Sequence, residues 1–131
     1  MPSFVFNIVK GSSSSYFSLD PANSALVVVP LEFSGLESKS VLEDKTTLTQ
    51  VLSGSTNEQT TMGRKVVTST TSEVDNTLNA FTVSADHQTW VSASGSQVGG
   101  FLVCYDEDTT TGTDNDLIPL TYHEWDITPA G

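Results

Sequence analysis

The sequence predicts an all-β fold, either a β-sandwich or a jelly-roll-like arrangement, with seven to eight strands and at most one short helix. Two observations favour this class. The 131 residues include 18 Ser and 18 Thr, and Thr suits half-exposed pleated surfaces while Ser suits turns. Apolar, β-branched segments also alternate with turn signals at short intervals. A chain of this length can bury one core, so residues 1–131 are predicted to form a single β domain.

The first quarter of the chain predicts two strands separated by a loop. Residues 3–9 are largely apolar and β-branched and predict the first strand. Residues 11–19 predict a flexible serine-rich loop, and residues 20–24 predict a turn. The apolar run that follows, residues 25–33, predicts a strand buried on both faces, with Pro30 at an edge or a bulge.

The middle of the chain gives a less definite pattern. Apolar side chains within residues 38–54 suit either one amphipathic helical turn or two short strands, and the repeated Thr disfavours the helix. Residues 64–71 are β-branched and predict a strand. Residues 77–84 and 88–94 predict two further strands joined by a short connection.

The C-terminal part predicts two core strands on either side of an acidic loop. Residues 98–108 carry the apolar stretch "FLVCY", and residues 117–128 predict the final strand. Four residues of this last strand alternate with four others, so that the two sets point to opposite faces. The first set is Leu120, Tyr122, Glu124 and Asp126, and the second is Thr121, His123, Trp125 and Ile127.

The charge of the chain limits its partners. The net charge is −11, and residues 66–131 carry ten acids and neither Lys nor Arg. A surface of this sign repels phosphate backbones and anionic lipid headgroups, so we expect binding neither to nucleic acid nor to membranes. The excess negative charge favours solubility, or one half of an interface with a basic partner.

Cysteine usage and the N-terminal residues predict a cytoplasmic folding compartment. The single Cys104 cannot form an internal disulfide, and one Cys with two distant His residues cannot build a zinc site. The first residues lack the basic region of a secretory signal, and no apolar run approaches the length of a membrane span. We therefore expect folding in a reducing cytoplasm.

The stretch "DEDTTTGTDND", residues 106–116, raises the question of calcium. Four aspartates offer oxygen ligands of the kind that calcium prefers, namely Asp106, Asp108, Asp114 and Asp116. The EF-hand spacing is not met, because Gly112 comes one residue late and position twelve is Leu117. The spacing favours a solvated hairpin loop in which Gly112 takes a positive φ, with calcium as the alternative.

The sequence favours no catalytic site and no cofactor. His123 and Glu124 are neighbours in a predicted strand, so their side chains point to opposite faces and cannot act as an acid–base pair. No "GxSxG" motif places a serine on a nucleophile elbow. Cys104 lies within an apolar run and is predicted to be a small core residue. We therefore expect a protein that is not an enzyme.

The two tryptophans are the candidate ligand residues. Trp90 and Trp125 could line a sugar-binding platform, because exposed aromatic rings stack on the apolar faces of sugars. Both are predicted to lie in the middle of strands among β-branched neighbours. That setting favours packing in the core or in a subunit interface.

Four segments carry a resemblance to a known family. They are "FNIVKG" (Phe6–Gly11), "DPANSALVVVPLE" (Asp20–Glu32), "NEQTTMGRKVVT" (Asn57–Thr68) and "LVCYDEDTTTGTDNDLIPLTYHEWDITPAG" (Leu102–Gly131). The chain resembles, over about half of its length, small structural proteins encoded in the head and neck gene clusters of tailed bacteriophages. It departs from them after Gly11, where the relatives have a charged, helix-like stretch.

The resemblance implies a virion protein that is assembled in the host cytoplasm. The first hypothesis is a decoration protein on the outside of a capsid, forming a homotrimer and contacting the major capsid protein or other virion subunits. Its shell-facing side would be a mixed-charge face with four basic residues, namely Lys10, Lys39, Arg64 and Lys65. The alternative is a receptor- or carbohydrate-binding module of a head fibre or tail that uses Trp90 or Trp125.

Overall fold

The structure is a computed structural model that describes residues 1–11, 16–19 and 21–131. Its elements in chain order are β1 (Phe4–Val5), a first 3₁₀ helix (Asn7–Val9), β2 (Ala25–Glu32), α1 (Lys39–Leu42), α2 (Leu48–Val51), β3 (Lys65–Val67), β4 (Thr70–Asp75), β5 (Ala80–Ala85), β6 (Val98–Asp106), a second 3₁₀ helix (Asp114–Asp116) and β7 (Leu117–Ile127).

The strands form one large sheet and one hairpin. Five strands pair in the order β1-β7-β6-β2-β3, and β4 pairs with β5 in a separate two-stranded sheet. Every strand pair is antiparallel. The all-β prediction is confirmed, and the described residues contain seven strands, within the predicted range. A sandwich or jelly roll is not confirmed, because a single hairpin stands where a second full sheet was expected.

The strand β2 is central, as its apolar sequence predicts. It pairs with β6 along its whole length and with β3 only from Leu26 to Val28. Pro30 lies beyond the end of β3, and its carbonyl accepts a hydrogen bond of 2.8 Å from the Gln59 N–H. The missing N–H of proline therefore costs no ladder hydrogen bond, which is why proline is tolerated in this buried strand.

One face of the large sheet carries the main apolar cluster. Val27, Val29 and Leu31 of β2 lie in this cluster with Leu102 and Cys104 of β6, as the two-residue period of a strand requires. Side chains of β1 and the residue after it, of the two α-helices and of β7 complete it. These are Phe4, Phe6, Leu42, Leu48, Val51, Leu117 and Tyr122.

The other face carries a second cluster built around Leu26, Tyr105 and Leu120. Tyr16 and Phe17 pack against it, and the Tyr16 ring centroid lies 5.4 Å from that of Tyr105. In the serine-rich segment predicted to be flexible, the described residues thus contact the core, because two aromatic rings follow the serines. Its residues 12–15 lie outside the described residues, as does Asp20 of the predicted turn.

The ambiguous segment is helical, and two one-turn α-helices stand where at most one short helix was predicted. Helix α2 begins after Thr47, whose hydroxyl accepts a hydrogen bond of 3.2 Å from the Gln50 N–H. The Gln50 side chain accepts one of 2.9 Å from the Thr46 N–H. This reciprocal arrangement resembles a capping box and outweighs the low helix propensity of threonine.

The strand predicted over residues 88–94 is absent from the structure, and this prediction is wrong. The connection between β5 and β6 is irregular, and Ser92 within it adopts a φ of 56°. Its backbone carbonyls at Ser94 and Ser96 accept hydrogen bonds of 3.0 Å from the side chain of Gln59. A buried side chain therefore satisfies groups that a neighbouring strand would otherwise have satisfied.

The β4-β5 hairpin is the other departure from the predicted strands. The predicted strand over residues 64–71 divides, because β3 joins the large sheet and β4 pairs only with β5. The Asp75 carboxylate closes the turn by accepting hydrogen bonds from the N–H groups of Thr77 and Leu78, at 2.9 and 3.0 Å. Asn79 adopts the left-handed conformation that asparagine tolerates.

Candidate functional site

Three aromatic rings form a continuous group on the face of the second cluster. Phe101 of β6 stacks on Trp90, with a centroid distance of 5.2 Å and an interplanar angle of 1°. It also contacts Trp125 of β7 at 4.6 Å and 39°. The two tryptophans that the sequence singles out, 35 residues apart, are thus brought together by one phenylalanine.

Trp90 is held rigidly although it lies in an irregular connection. Its indole N–H donates a hydrogen bond of 2.9 Å to the Gly63 carbonyl. The Lys65 ammonium lies 5.8 Å from the centre of its ring, within the range of a cation–π interaction. Trp125 lies in a strand, as predicted, and 40% of its surface is exposed. Trp90 is therefore fixed in place, and Trp125 has surface that is open to a ligand.

A cleft of about 270 Å³ lies beside these rings, lined by both tryptophans. We name it the aromatic cleft. Its other walls include Met62, Gln88, Thr89 and Ile127 together with residues 129–131, and none of its lining side chains is charged. The Gly131 N–H donates a hydrogen bond of 2.7 Å to the Ala93 carbonyl, which closes one wall against the connection that carries Trp90.

The aspartates of the acidic loop, residues 106–116, bind parts of the loop itself. The Asp106 carboxylate accepts a hydrogen bond of 3.1 Å from the Asp108 N–H, and Asp108 accepts one of 2.9 Å from the Thr110 N–H. Asp116 accepts one of 2.8 Å from the Thr113 N–H. Gly112 has a φ of 87°, as predicted for a tight turn.

The structure does not bring the four aspartates together as a metal site. Within residues 1–11, 16–19 and 21–131, no three His, Cys, Asp or Glu side chains are grouped as metal ligands. The fourth aspartate, Asp114, points instead to Arg64. Thr110 donates hydrogen bonds to Asp108 from both its hydroxyl and its N–H, and these bonds hold the pKa of Asp108 below its usual range.

Arg64 clamps the acidic loop to the segment that precedes β3. Its guanidinium donates two hydrogen bonds to Glu58, at 2.6 and 2.9 Å, and two to Asp114, at 2.8 and 3.1 Å. Hydrogen bonds to Glu58 first, and then to Asp114, raise the pKa of Arg64 further above its usual range. Bidentate pairs of this kind position a planar guanidinium firmly, so the clamp fixes the loop relative to the sheet.

We expect Asp114→Asn to lower the free energy of unfolding at pH 7 by about 1 kcal/mol, because Asp114 is partly open to solvent and the pair is screened. Arg64 holds the pKa of Asp114 below the ordinary 3.8. The stabilisation is therefore present above that pH and is lost as pH falls through the lowered pKa. Urea unfolding of the wild type and the variant at pH 7 and pH 2.5 measures this difference.

Glu107→Gln is the matched control for this prediction. Glu107 lies exposed in the same loop, and its replacement removes the same charge. It should leave the stability within about 0.5 kcal/mol of the wild type at either pH. An Asp114→Asn deficit that stays unchanged at pH 2.5 would show that the clamp is not the origin of the effect.

The other basic residues predicted to face a partner each make a single polar or cation–π contact within the chain. The Lys10 ammonium donates a hydrogen bond of 2.6 Å to the Asn7 side chain, and Lys39 forms an i,i+4 ion pair of 3.6 Å with Glu43. Lys65 lies over Trp90. Of the four, Arg64 has its charge matched twice within the chain, so the lysines are the cations better placed to meet a partner.

The remaining titratable residues considered in the sequence lie apart from one another. Cys104 is fully buried in the main cluster, and burial raises its thiol pKa to about 12. His123 contacts the Thr121 hydroxyl at 2.9 Å, and partial desolvation lowers its pKa. His87 is exposed in the irregular connection. The structure supports the prediction that Cys104 is a core residue.

No family model, curated protein or solved structure matches this chain. Within the part of the chain that the structure describes, no helix is long and apolar enough to cross a membrane. The candidate site therefore rests on its own geometry, and the aromatic cleft combines aromatic rings, a cavity and polar rim groups.

Two features that bear on the candidate site and surfaces were not predicted from the sequence. Phe101 unites the tryptophans, but its contacts depend on its register opposite His123 in β7, which no local pattern reports. The exposed tip of the β4-β5 hairpin was missed because the strand boundary was placed incorrectly. The turn sequence "DNTLN" was a usable signal for it, since Asp and Asn at these positions favour a tight turn.

Proposed function

We propose that this protein is a non-enzymatic structural protein of a tailed-phage particle, a decoration protein on the outside of the capsid that forms trimers. The observation that carries the proposal is the β4-β5 hairpin. Val74 and Leu78 near its tip are 66% and 74% exposed. Within the described residues neither outer edge of the hairpin has a strand partner. Apolar side chains next to open strand edges favour pairing with another subunit.

The hairpin contacts the rest of the domain through its base and through one strand, β5. The Thr70 hydroxyl donates a hydrogen bond to the Phe17 carbonyl. Val83 and Ala85 line a cavity with Leu26 and Val103 of the large sheet. An isolated two-stranded hairpin is marginally stable in water, so a third strand from a neighbouring copy would stabilise it.

Charge supports an orientation for the assembled protein. The C-terminal half carries only acidic charge, so it favours solvent on the outer side of a particle. The shell-facing contacts would come from among Lys10, Lys39 and Lys65, whereas the charge of Arg64 is already matched in its clamp. The resemblance of four segments to phage head proteins supports the same setting.

The test measures the protein in purified particles by quantitative mass spectrometry against the major capsid protein. We expect a fixed stoichiometry, with three copies at each attachment point, and a mass near three times 14.0 kDa for the free protein in light scattering. Absence from the particles would overturn the proposal. Cryo-EM density showing the acidic loop packed against the shell would overturn the orientation.

A hairpin variant examines the structural argument directly. Val74→Thr with Leu78→Ser should reduce the trimeric fraction and the particle occupancy at least about tenfold, while the melting temperature of the dilute monomer changes little because both residues are exposed. Val91→Ser is the matched control, since Val91 is 84% exposed but lies in the connection before β6. Equal occupancy of both variants would show that the hairpin does not mediate assembly.

A further inference from the structure

We propose that the aromatic cleft binds a neutral carbohydrate, with one pyranose ring stacked on Trp125. This goes beyond the proposed structural role and does not depend on it. Trp125 is 40% exposed, and its ring is braced by Phe101 at 4.6 Å. Proteins bind sugars with rigid, exposed aromatic rings, because the C–H face of a sugar is apolar and its edge carries hydroxyl groups.

The polar groups at the rim match the edge of a sugar. Within the described residues, the Thr89 hydroxyl has no hydrogen-bond partner, and neither has the side-chain oxygen of Gln88. The Gln88 amide nitrogen donates a hydrogen bond of 2.9 Å to the Asp86 carbonyl, which orients the oxygen. Both side chains line the cleft together with Trp125. A sugar hydroxyl can donate to Gln88 and exchange a hydrogen bond with Thr89.

Charge and size restrict the ligand class. None of the cleft's lining side chains is charged, and the Lys65 ammonium lies over the Trp90 ring but does not line the cleft. The net charge of −11 also disfavours the approach of an anionic glycan. The volume of about 270 Å³ lies just below the range of roughly 300–1,000 Å³ for small-molecule sites. It suits one ring of a neutral oligosaccharide, with the rest of the glycan outside the cleft.

The rings of the aromatic cleft are already held in place before any ligand binds. Trp90 is fixed by its hydrogen bond to Gly63 and by its parallel stacking on Phe101. Gln59 holds the same connection through Ser94 and Ser96. A ligand therefore meets rings that are already in place, which reduces the entropy lost on binding.

The chain has two tryptophans and both line the cleft, so intrinsic fluorescence reports on this site. The purified protein is titrated with cellohexaose, maltohexaose, mannohexaose and chitohexaose, and with a heparin hexasaccharide as the anionic probe. We expect a saturable change in emission with at least one neutral probe and none with heparin. Isothermal titration calorimetry then gives the affinity of the probe that binds.

Trp125→Ala should weaken that affinity at least about tenfold, and Trp125→Phe should weaken it less because a smaller ring remains. The hairpin variant with Val74→Thr and Leu78→Ser is the matched control and should bind as the wild type does. Failure of all four neutral probes would overturn the proposal. It would also be overturned if Trp125→Ala kept the affinity of the wild type.

Discussion

Replacing Gln59 with leucine is expected to lower the free energy of unfolding by about 3–5 kcal/mol, because one side chain satisfies three backbone groups. Its amide nitrogen donates hydrogen bonds of 3.0 Å to the carbonyls of Ser94 and Ser96. Its oxygen accepts one of 3.0 Å from the Met62 N–H. Leucine has a similar size but leaves all three groups without partners, each at a cost of about 1–3 kcal/mol when desolvated.

The burial of Gln59 explains why this effect should exceed that of an ordinary polar substitution. Its surface is 1% exposed, so the three backbone groups that face it are screened from water on that side. The measurement is urea unfolding at pH 7, with Gln97→Leu as the control. Gln97 is exposed and donates to Asp126, so its replacement should cost less than about 0.5 kcal/mol. Equal losses in the two variants would contradict the role assigned to Gln59.

A glutamate at the same position would give a distinct pH profile. Gln59→Glu places a carboxylate oxygen against two carbonyl oxygens, so the folded state would favour the protonated acid and raise its pKa. Relative to the wild type, this variant should be most stable near pH 4 and should lose stability as pH rises towards its raised folded pKa. A deficit independent of pH would indicate that the connection has moved away from residue 59.

The second large effect is expected for Gly100→Ala, which should cost about 3 kcal/mol, at the upper end of overpacking penalties. Gly100 lies in β6 opposite Glu124. A Cβ atom there would lie 2.5 Å from the His123 carbonyl oxygen and would also collide with the Tyr122 hydroxyl. Neither strand can retreat, because β6 and β7 are paired in the centre of the sheet.

Tyr122 explains why this position requires glycine. Its side chain is fully buried, and its ring centroid lies 5.3 Å from that of Phe4. Its hydroxyl donates a hydrogen bond of 2.9 Å to the Gly99 carbonyl, and burial raises its pKa to about 12, so it remains a donor near neutral pH. The Tyr122 ring therefore lies over the backbone of β6 in the space that a side chain at position 100 would need.

A double-mutant cycle measures the coupling of these two residues. Tyr122→Phe alone should cost about 1–3 kcal/mol, because the buried Gly99 carbonyl loses its donor. Combined with Gly100→Ala it should cost less than the sum of the single changes, since phenylalanine removes one of the collisions. Thermal unfolding should show Gly100→Ala melting on the order of 10 °C below the wild type. A shift of less than about 2 °C would refute the steric argument.

The candidate site was predicted in its residue types but not in its assembly. Trp90 and Trp125 stand out in the sequence because the chain has only two tryptophans. Both were predicted to lie in strands, which is correct for Trp125 and wrong for Trp90. Trp90 lies in an irregular connection whose Ser94 and Ser96 carbonyls bind Gln59, 35 and 37 residues earlier in the chain. Arg64 was predicted to face a partner, but in the structure it binds Asp114 of the same chain. No local pattern indicates this pair, because 50 residues separate the two.

The sequence by itself determined the all-β class, the buried central strand β2, the final strand β7 and the glycine turn of the acidic loop. Each of these depends on local properties, namely apolar β-branched segments and the conformational freedom of glycine. The predicted alternation in β7 was wrong at one point, because a bulge places Leu120 in the second cluster and Tyr122 in the main one. Only the tertiary structure decided the aromatic cleft, the Arg64 clamp and the single hairpin in place of a second sheet. These depend on which strands become neighbours and in what register, and that choice is made by contacts between residues far apart in the chain.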